Sequence, residues 1–332
     1  MVKKRKRGHP EVTIIGNTSW GNTLAGLLSD KGATVRLWAR SEAEARELNQ
    51  GSRTYSATGC IEEALDGADL VIWVVPSQRL RENVSRARNY LTGSMLLMSA
   101  AKGLELNSGK RMSEVLAEEV GPRLRTRICV LSGPNLATEI AQALPAASVI
   151  AAGDIALAES ARELMESPRF FLSTSDDVVG VELAGALKNI IALGAGMIDG
   201  LSLGDNAKGV FITWGWADVV SLGVVLGARA GTFYGLAGLG DLIATCASTL
   251  SRNHYVGYEL ARGRPLSQIT ASMSHVAEGV STTAAAHRLA EDRKLELPVI
   301  KLVYGVLFGG LTPSQALFEF GKLATNHRGC QG

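Results

Sequence analysis

Apolar positions in the first half of the chain fall in short continuous runs separated by amphipathic stretches. Residues 11–15 (EVTII), 34–38 (TVRLW), 69–75 (DLVIWVV), 95–100 (MLLMSA) and 128–131 (ICVL) each read as a strand. The unbroken apolar character of DLVIWVV marks a strand covered on both faces. Residues 147–152 (ASVIAA) and 170–173 add two later strands, and helical periodicity fills 22–31, 41–49 and 156–165. Strands alternating with helices of this length predict a parallel sheet wound by right-handed crossovers. After about Val178 the strand signals nearly vanish, and helical runs joined by glycine-rich turns continue to the end. The pattern divides the chain into a tail (1–10), an α/β domain (11–175) and an all-α C-terminal domain (176–332).

Composition changes this picture little. With 332 residues, 46% of them hydrophobic and 20% charged, the chain can bury two cores and is far from the composition of disorder. A net charge of +2 gives no reason to expect nucleic-acid binding. The basic run Lys3–Arg7 (KKRKR) reads as a solvated terminus, with weak attraction to an anionic surface as the alternative. No apolar segment of secretory type follows it, and no run of about 18 uninterrupted apolar residues occurs; a cytoplasmic protein without stable membrane insertion is expected. Cys60, Cys129, Cys246 and Cys330 lack ligand or disulfide spacing and read as small core residues in a reducing compartment, and the five histidines add no metal-binding pattern.

The first strand runs into Gly16-Asn17-Thr18-Ser19-Trp20-Gly21 and then a helix. A glycine there permits the tight turn, and the helix N-terminus presents free N–H groups and partial positive charge to a pyrophosphate. This predicts a Rossmann-type dinucleotide-binding domain. Thr18 stands where the second glycine of the fingerprint belongs, which implies a displaced pyrophosphate or a hydroxyl contact. At the end of the second strand, where an NAD site places an acidic residue, the chain has Trp38-Ala39-Arg40-Ser41. Arg40 can pair with a 2′-phosphate, which favours NADPH over NADH; it reads otherwise as a solvated arginine.

Candidate chemistry clusters at the carboxyl ends of strands and in the helical half. Lys102, in AKGLE, follows MLLMSA where open α/β sheets bind ligands, and is either a surface lysine or a cation directed at a ligand. Gly133 and Asn135 lie in SGPNLA, a sharp turn after ICVL. The run from Gly180 to Gly200 is apolar on nearly all faces around residues 183–195, except for Lys188 and Asn189. A buried amine costs desolvation unless partnered, so Lys188 is either functional or snorkels to the surface. Asp241 follows LAGLG and could cap a helix; Ser251 reads as the N-cap of a helix through Arg262, with Arg252 and Asn253 forming a phosphate site at its start. Glu278 in AEG offers a further carboxylate.

Taken in order, GNTSWGNTLA, VVPSQ, AAKGLE, SGPNLATEIA, GALKNIIALGAGMIDGL, GLAGLGDLIATCAS, SRNHYVGYELARG and AEG resemble the bacterial NAD(P)-dependent glycerol-3-phosphate dehydrogenases. The resemblance covers residues 12 to about 280 and is most specific from Gly180 to Gly263. It implies a Rossmann-type domain followed by a helical substrate domain, in a homodimer, interconverting dihydroxyacetone phosphate and sn-glycerol 3-phosphate for phospholipid synthesis. By motif position it makes Lys188 the catalytic acid/base. Substrate would be lined by Lys102, Gly133, Asn135, Lys188, Asp241, Ser251, Arg252 and Asn253. NADPH or NADH would be faced by Ser19, Trp20, Arg40, Lys102, Ala137, Arg252, Val276 and Glu278. The chain departs from the family at Thr18, in the short stretch between Arg40 and Glu62 that leaves Tyr55 in place of a family tyrosine, and at Trp214, where relatives carry arginine. The alternatives are a related NADP-dependent hydroxy-acid reductase and a catalytically weakened dinucleotide-binding regulatory protein.

Overall fold

The computed structural model describes residues 9–51, 54–248, 250–273 and 275–326. The basic run at residues 3–7 and Cys330 lie outside them. Two compact units result: one runs to Ala101 and resumes over Met112–Val178, and the other combines Lys102–Arg111 with the chain from Val179.

In the first unit the order is β1 (Glu11–Ile15), α1 (Ser19–Asp30), β2 (Thr34–Trp38), α2 (Glu42–Gly51), β3 (Ser56–Thr58), α3 (Ile61–Leu65), β4 (Leu70–Trp73), α4 (Leu80–Ala87), β5 (Leu96–Ser99), α5 (Met112–Val120), β6 (Ile128–Ser132), α6 (Ala137–Ala141), β7 (Ala146–Ala152), α7 (Ile155–Met165) and β8 (Phe170–Ser175). The eight strands form one sheet in the order β3-β2-β1-β4-β5-β6-β7-β8. β1 lies between β2 and β4, with Ile15 level with Trp38 on one side and Trp73 on the other, so strand order reverses at the end of β1. Both faces are covered, as the continuous apolar run of β4 requires. Ile14, Ile72 and Met98 pack with Leu24 and Leu28 of α1, while Ile15, Val71 and Trp73 pack with Leu80, Val84 and Leu116. Each such fully buried large side chain contributes about 1.5–3 kcal/mol.

The sheet is not wholly parallel: β7 runs antiparallel to β6, with Leu131 opposite Ile150. The only helix in the intervening connection is the five-residue α6. One turn of helix does not carry the chain back along the sheet, so β7 starts where β6 ends. Cys129 and Cys246 are buried as expected, but Cys60 is exposed. It occupies the N-cap position of the short α3 and not a core position.

The second unit is helical: α8 (Val178–Gly200), α9 (Gly204–Val225), α10 (Asp241–Ala247), α11 (Arg252–Ala261), α12 (Leu266–Ser272), α13 (Glu278–Asp292), α14 (Pro298–Phe308) and α15 (Pro313–Asn326). α8 has the length and mean hydropathy (1.6) of a membrane span, but 83% of its apolar window is buried inside the protein, because the other helices of this unit wrap it. α11 crosses α8 backbone against backbone. A Cβ on Gly257 would collide with the Leu193 carbonyl, and one on Gly196 with that of His254. Only glycine permits this approach, which sets the first turn of α11 beside α8.

Candidate active site

In the first unit several of the residues predicted from sequence lie at or near the glycine turn. Gly16 has φ +128, and a Cβ there would lie 2.6 Å from the Val74 carbonyl oxygen. Thr18 caps α1: its hydroxyl accepts from Gly21 N (3.0 Å) and donates to Val74 O (3.1 Å). Those internal partners explain why threonine is tolerated there. The N–H groups of Ser19 and Trp20, which no helix carbonyl can reach, have no partner among the described residues. Trp20 packs edge-on against Phe170, with ring centroids 6.2 Å apart. The carbonyl of Ala137, at the start of α6, accepts from Thr23 of α1 (3.2 Å). Tyr55 donates to Asn22, whose amide donates to Asn17, so it is tied to the glycine turn through two hydrogen bonds.

Arg40 follows β2 with its side chain 84% exposed, and pairs with Glu44 at 3.2 Å. Beyond β6, Gly133 (φ +149) presses against Ser148, whose hydroxyl donates to Asn135 Oδ1. Ser99 Oγ, Ser132 Oγ and Asn135 Nδ2 are buried without a partner among the described residues. They lie at or just past the carboxyl ends of β5 and β6, where open α/β sheets bind ligands and unused hydrogen-bonding capacity suits one.

In the second unit Lys188 does not reach solvent; it is 5% exposed. Its Nζ donates to Asp241 Oδ1 at 2.8 Å and to Thr245 Oγ1, which in turn donates to the Asp241 carbonyl. Asp241 opens α10 after a π-helical turn, Leu236–Gly240, a feature that often accompanies functional sites. The other carboxylate oxygen of Asp241 takes Lys102 Nζ at 2.6 Å. Lys102 belongs to this unit because the 102–111 segment is anchored here: Leu104 is fully buried, and Arg111 bonds Glu182 of α8 at 2.7 Å. Burial pushes the Lys102 ammonium down to about 8; Asp241 opposes that shift and the charge of Lys188 adds to it.

Alongside runs a second network. Asn253 donates to Asn189 Oδ1 (2.8 Å) and accepts from Gly279 N (2.9 Å), joining α8, α11 and the start of α13. Ser251 caps α11 by accepting from His254 N (3.2 Å), as the sequence suggests. Arg252 is exposed at the first position of α11 and feels the negative charge of Glu278, the first residue of α13. Val276 is 49% exposed just ahead of it. Trp214 packs its ring 5.1 Å from that of Phe320 in α15, so an aromatic contact stands where the resemblance led to the expectation of a charge.

Two residues of the lysine cluster and its neighbour network carry no strong sequence signal. Thr245 lies one helical turn past Asp241, a spacing that places both on one face of α10. Asn189 is visible only as a polar interruption beside Lys188.

Two family models cover most of the chain. Residues 11–158 match the N-terminal part of NAD-dependent glycerol-3-phosphate dehydrogenase and residues 177–318 its C-terminal part. A glycerol-3-phosphate dehydrogenase (NAD(P)+) of Dehalococcoides mccartyi strain 195 is 51% identical over 319 residues, 92% of this chain and 89% of the relative. One from Pelotomaculum thermopropionicum is 42% identical over 92% of this chain and 91% of its own length. The crystal structure of glycerol-3-phosphate dehydrogenase from Coxiella burnetii superposes with a TM-score of 0.89 at 32% identity, covering 95% of this chain and 99% of that one. With a glycine turn, a buried lysine cluster and matches of this extent, the chain belongs to the NAD-dependent glycerol-3-phosphate dehydrogenase family.

Proposed function

We propose that this protein reduces dihydroxyacetone phosphate to sn-glycerol 3-phosphate with NADH or NADPH, and catalyses the reverse oxidation, supplying phospholipid synthesis. The observation that carries this reading is the buried arrangement of Lys188 and Lys102 on the two oxygens of Asp241. Two amines against one carboxylate leave net positive charge in a desolvated place, which suits a carbonyl oxygen that becomes an alkoxide. A nicotinamide dinucleotide held by Ser19, Trp20, Arg40 and Ala137 would supply a hydride for C2 of the substrate. Lys188 stabilises the growing negative charge and gives up its proton to it, a contribution of about 3–4 kcal/mol. Asp241 offsets the cost of burying both amines and fixes their direction. Lys102 adds a second positive charge toward the oxygen or the phosphate.

Ser251, Arg252 and Asn253 form the phosphate end. The first turn of α11 supplies N–H groups and the positive end of a helix dipole, and Arg252 supplies a guanidinium. Gly133 and Asn135 are assigned to substrate as well. Ser19, Trp20, Arg40 and Ala137 are assigned to the dinucleotide, together with Lys102, Arg252, Val276 and Glu278. Residues 11–175 serve as the nucleotide domain and 176–332 as the substrate domain. The family resemblance supports a homodimer acting in the cytoplasm. Replacing Lys188 by alanine lowers kcat by at least about 10²-fold while NAD(P)H binding, followed by nucleotide fluorescence, persists. A kcat near that of the parent removes Lys188 from the chemistry.

A further inference from the structure

At the carboxyl end of β2 the sequence offers a cation, Arg40, and no adjacent acid. The fold supplies one. Glu44, in the first turn of α2, turns its carboxylate back to this strand end. Its Oε2 accepts from the Arg40 backbone N–H at 2.7 Å, and its Oε1 accepts from Arg40 Nη2 at 3.2 Å and from Asn17 Nδ2 at 2.8 Å. Asn17 is part of the glycine turn, so the carboxylate is tied both to that turn and to the strand end that distinguishes NAD from NADP. The side chain of Glu44 is 17% exposed against 84% for Arg40, and these hydrogen bonds hold its carboxyl below the usual range against the opposing effect of burial. It is therefore a fixed negative charge beside an exposed positive one. A second cation of this strand end, Arg86, lies over the Trp38 ring, 4.5 Å from its centroid.

We propose that Glu44 is the specificity-determining residue that counterbalances Arg40, so that the site accepts both NADH and NADPH. A ribose 2′-hydroxyl gains from a carboxylate acceptor, whereas a 2′-phosphate gains from the guanidinium and is repelled by the carboxylate. With the two side chains paired, neither preference dominates. This inference rests on the assignment of the first unit to a dinucleotide. Glu44 also has a local role, since its backbone N–H donates to Ser41 Oγ (3.2 Å) at the start of α2. That bond does not use the carboxylate charge, so the two roles separate experimentally.

The test is direct titration of NADH and NADPH, by calorimetry and nucleotide fluorescence, into the full chain and its E44Q and E44A variants. E44Q keeps acceptor and shape but removes the charge; E44A removes both, and either variant that folds decides the matter. The ratio of Kd for NADH to Kd for NADPH is expected to rise about tenfold in each variant at low salt, and less at high salt where charges are screened. If the parent binds both nucleotides and the ratio stays within about twofold in the folded variants, the role of Glu44 is overturned while the dinucleotide assignment stands. If the parent binds neither nucleotide, that assignment fails and the inference with it.

Discussion

Replacing Asp241 by asparagine tests the buried cluster at its centre. The substitution preserves shape but removes the carboxylate that bonds both Lys188 and Lys102. At 2.6 Å from Lys102, the lost attraction is about 6 kcal/mol gross at an effective dielectric constant of about 20, most of it matched by the desolvation already incurred. Removing one partner of a buried pair leaves a net penalty of about 3–5 kcal/mol. Part of that penalty is expressed as proton loss. The Lys102 ammonium, already pushed down to about 8 by burial, loses the charge that opposes burial and retains the one on Lys188 that reinforces it. A base whose affinity for the proton is depressed is charged below its pKa and neutral above it. In the parent enzyme kcat/KM for dihydroxyacetone phosphate should therefore hold below pH 8 and fall as the pH rises through about 8. In D241N this alkaline limb moves down by at least about one pH unit, which corresponds to about 1.4 kcal/mol, and kcat drops as well. Initial rates between about pH 5.5 and 9.5, followed by nicotinamide absorbance, measure both effects. A limb that stays near pH 8 in D241N refutes the electrostatic coupling described above.

Two further outcomes follow from packing away from the lysines. Asp218 of α9 is buried, caps α14 by accepting from Val299 N and Ile300 N, and is pushed up to about 6 by that burial. Its folded value lies above the ordinary 3.8, so the stability its proton contributes is present below about pH 4 and lost as pH rises through 6. Urea unfolding should show this loss, at most about 3 kcal/mol, in the parent but not in D218N; equal pH dependence in the two proteins would exclude Asp218 as its source. Gly257→Ala should force α11 off α8 at the Leu193 carbonyl, costing about 1–3 kcal/mol and raising KM for the phosphorylated substrate through displaced Arg252 and Asn253. A variant with parental melting temperature and KM would show that the crossing tolerates a methyl group.

Features that depend on neighbouring residues were legible in the chain. Short apolar runs mark strands, and β1, β2 and β4 to β8 lie where those runs are. Gly16 before a helix announces the tight turn into α1, and the apolar run around Lys188 announces a buried helix. The three-residue β3 escapes such reading because it is too short for a period to register. The direction of β7 escapes it because apolar alternation does not encode strand polarity. Convergence of distant residues was not legible and follows from packing. Lys102 and Asp241 are 139 residues apart in sequence, yet a single carboxylate holds Lys102 and Lys188 together. That meeting depends on a 102–111 segment pinned to α8 by Arg111 and Glu182. Glu44 likewise joins the glycine turn only because α2 folds its first turn back on β2. Periodicity is a property of a few consecutive residues, whereas a charged cluster is set by how closely whole elements pack, and that distance is fixed by side-chain volume at contacts far from the cluster in sequence.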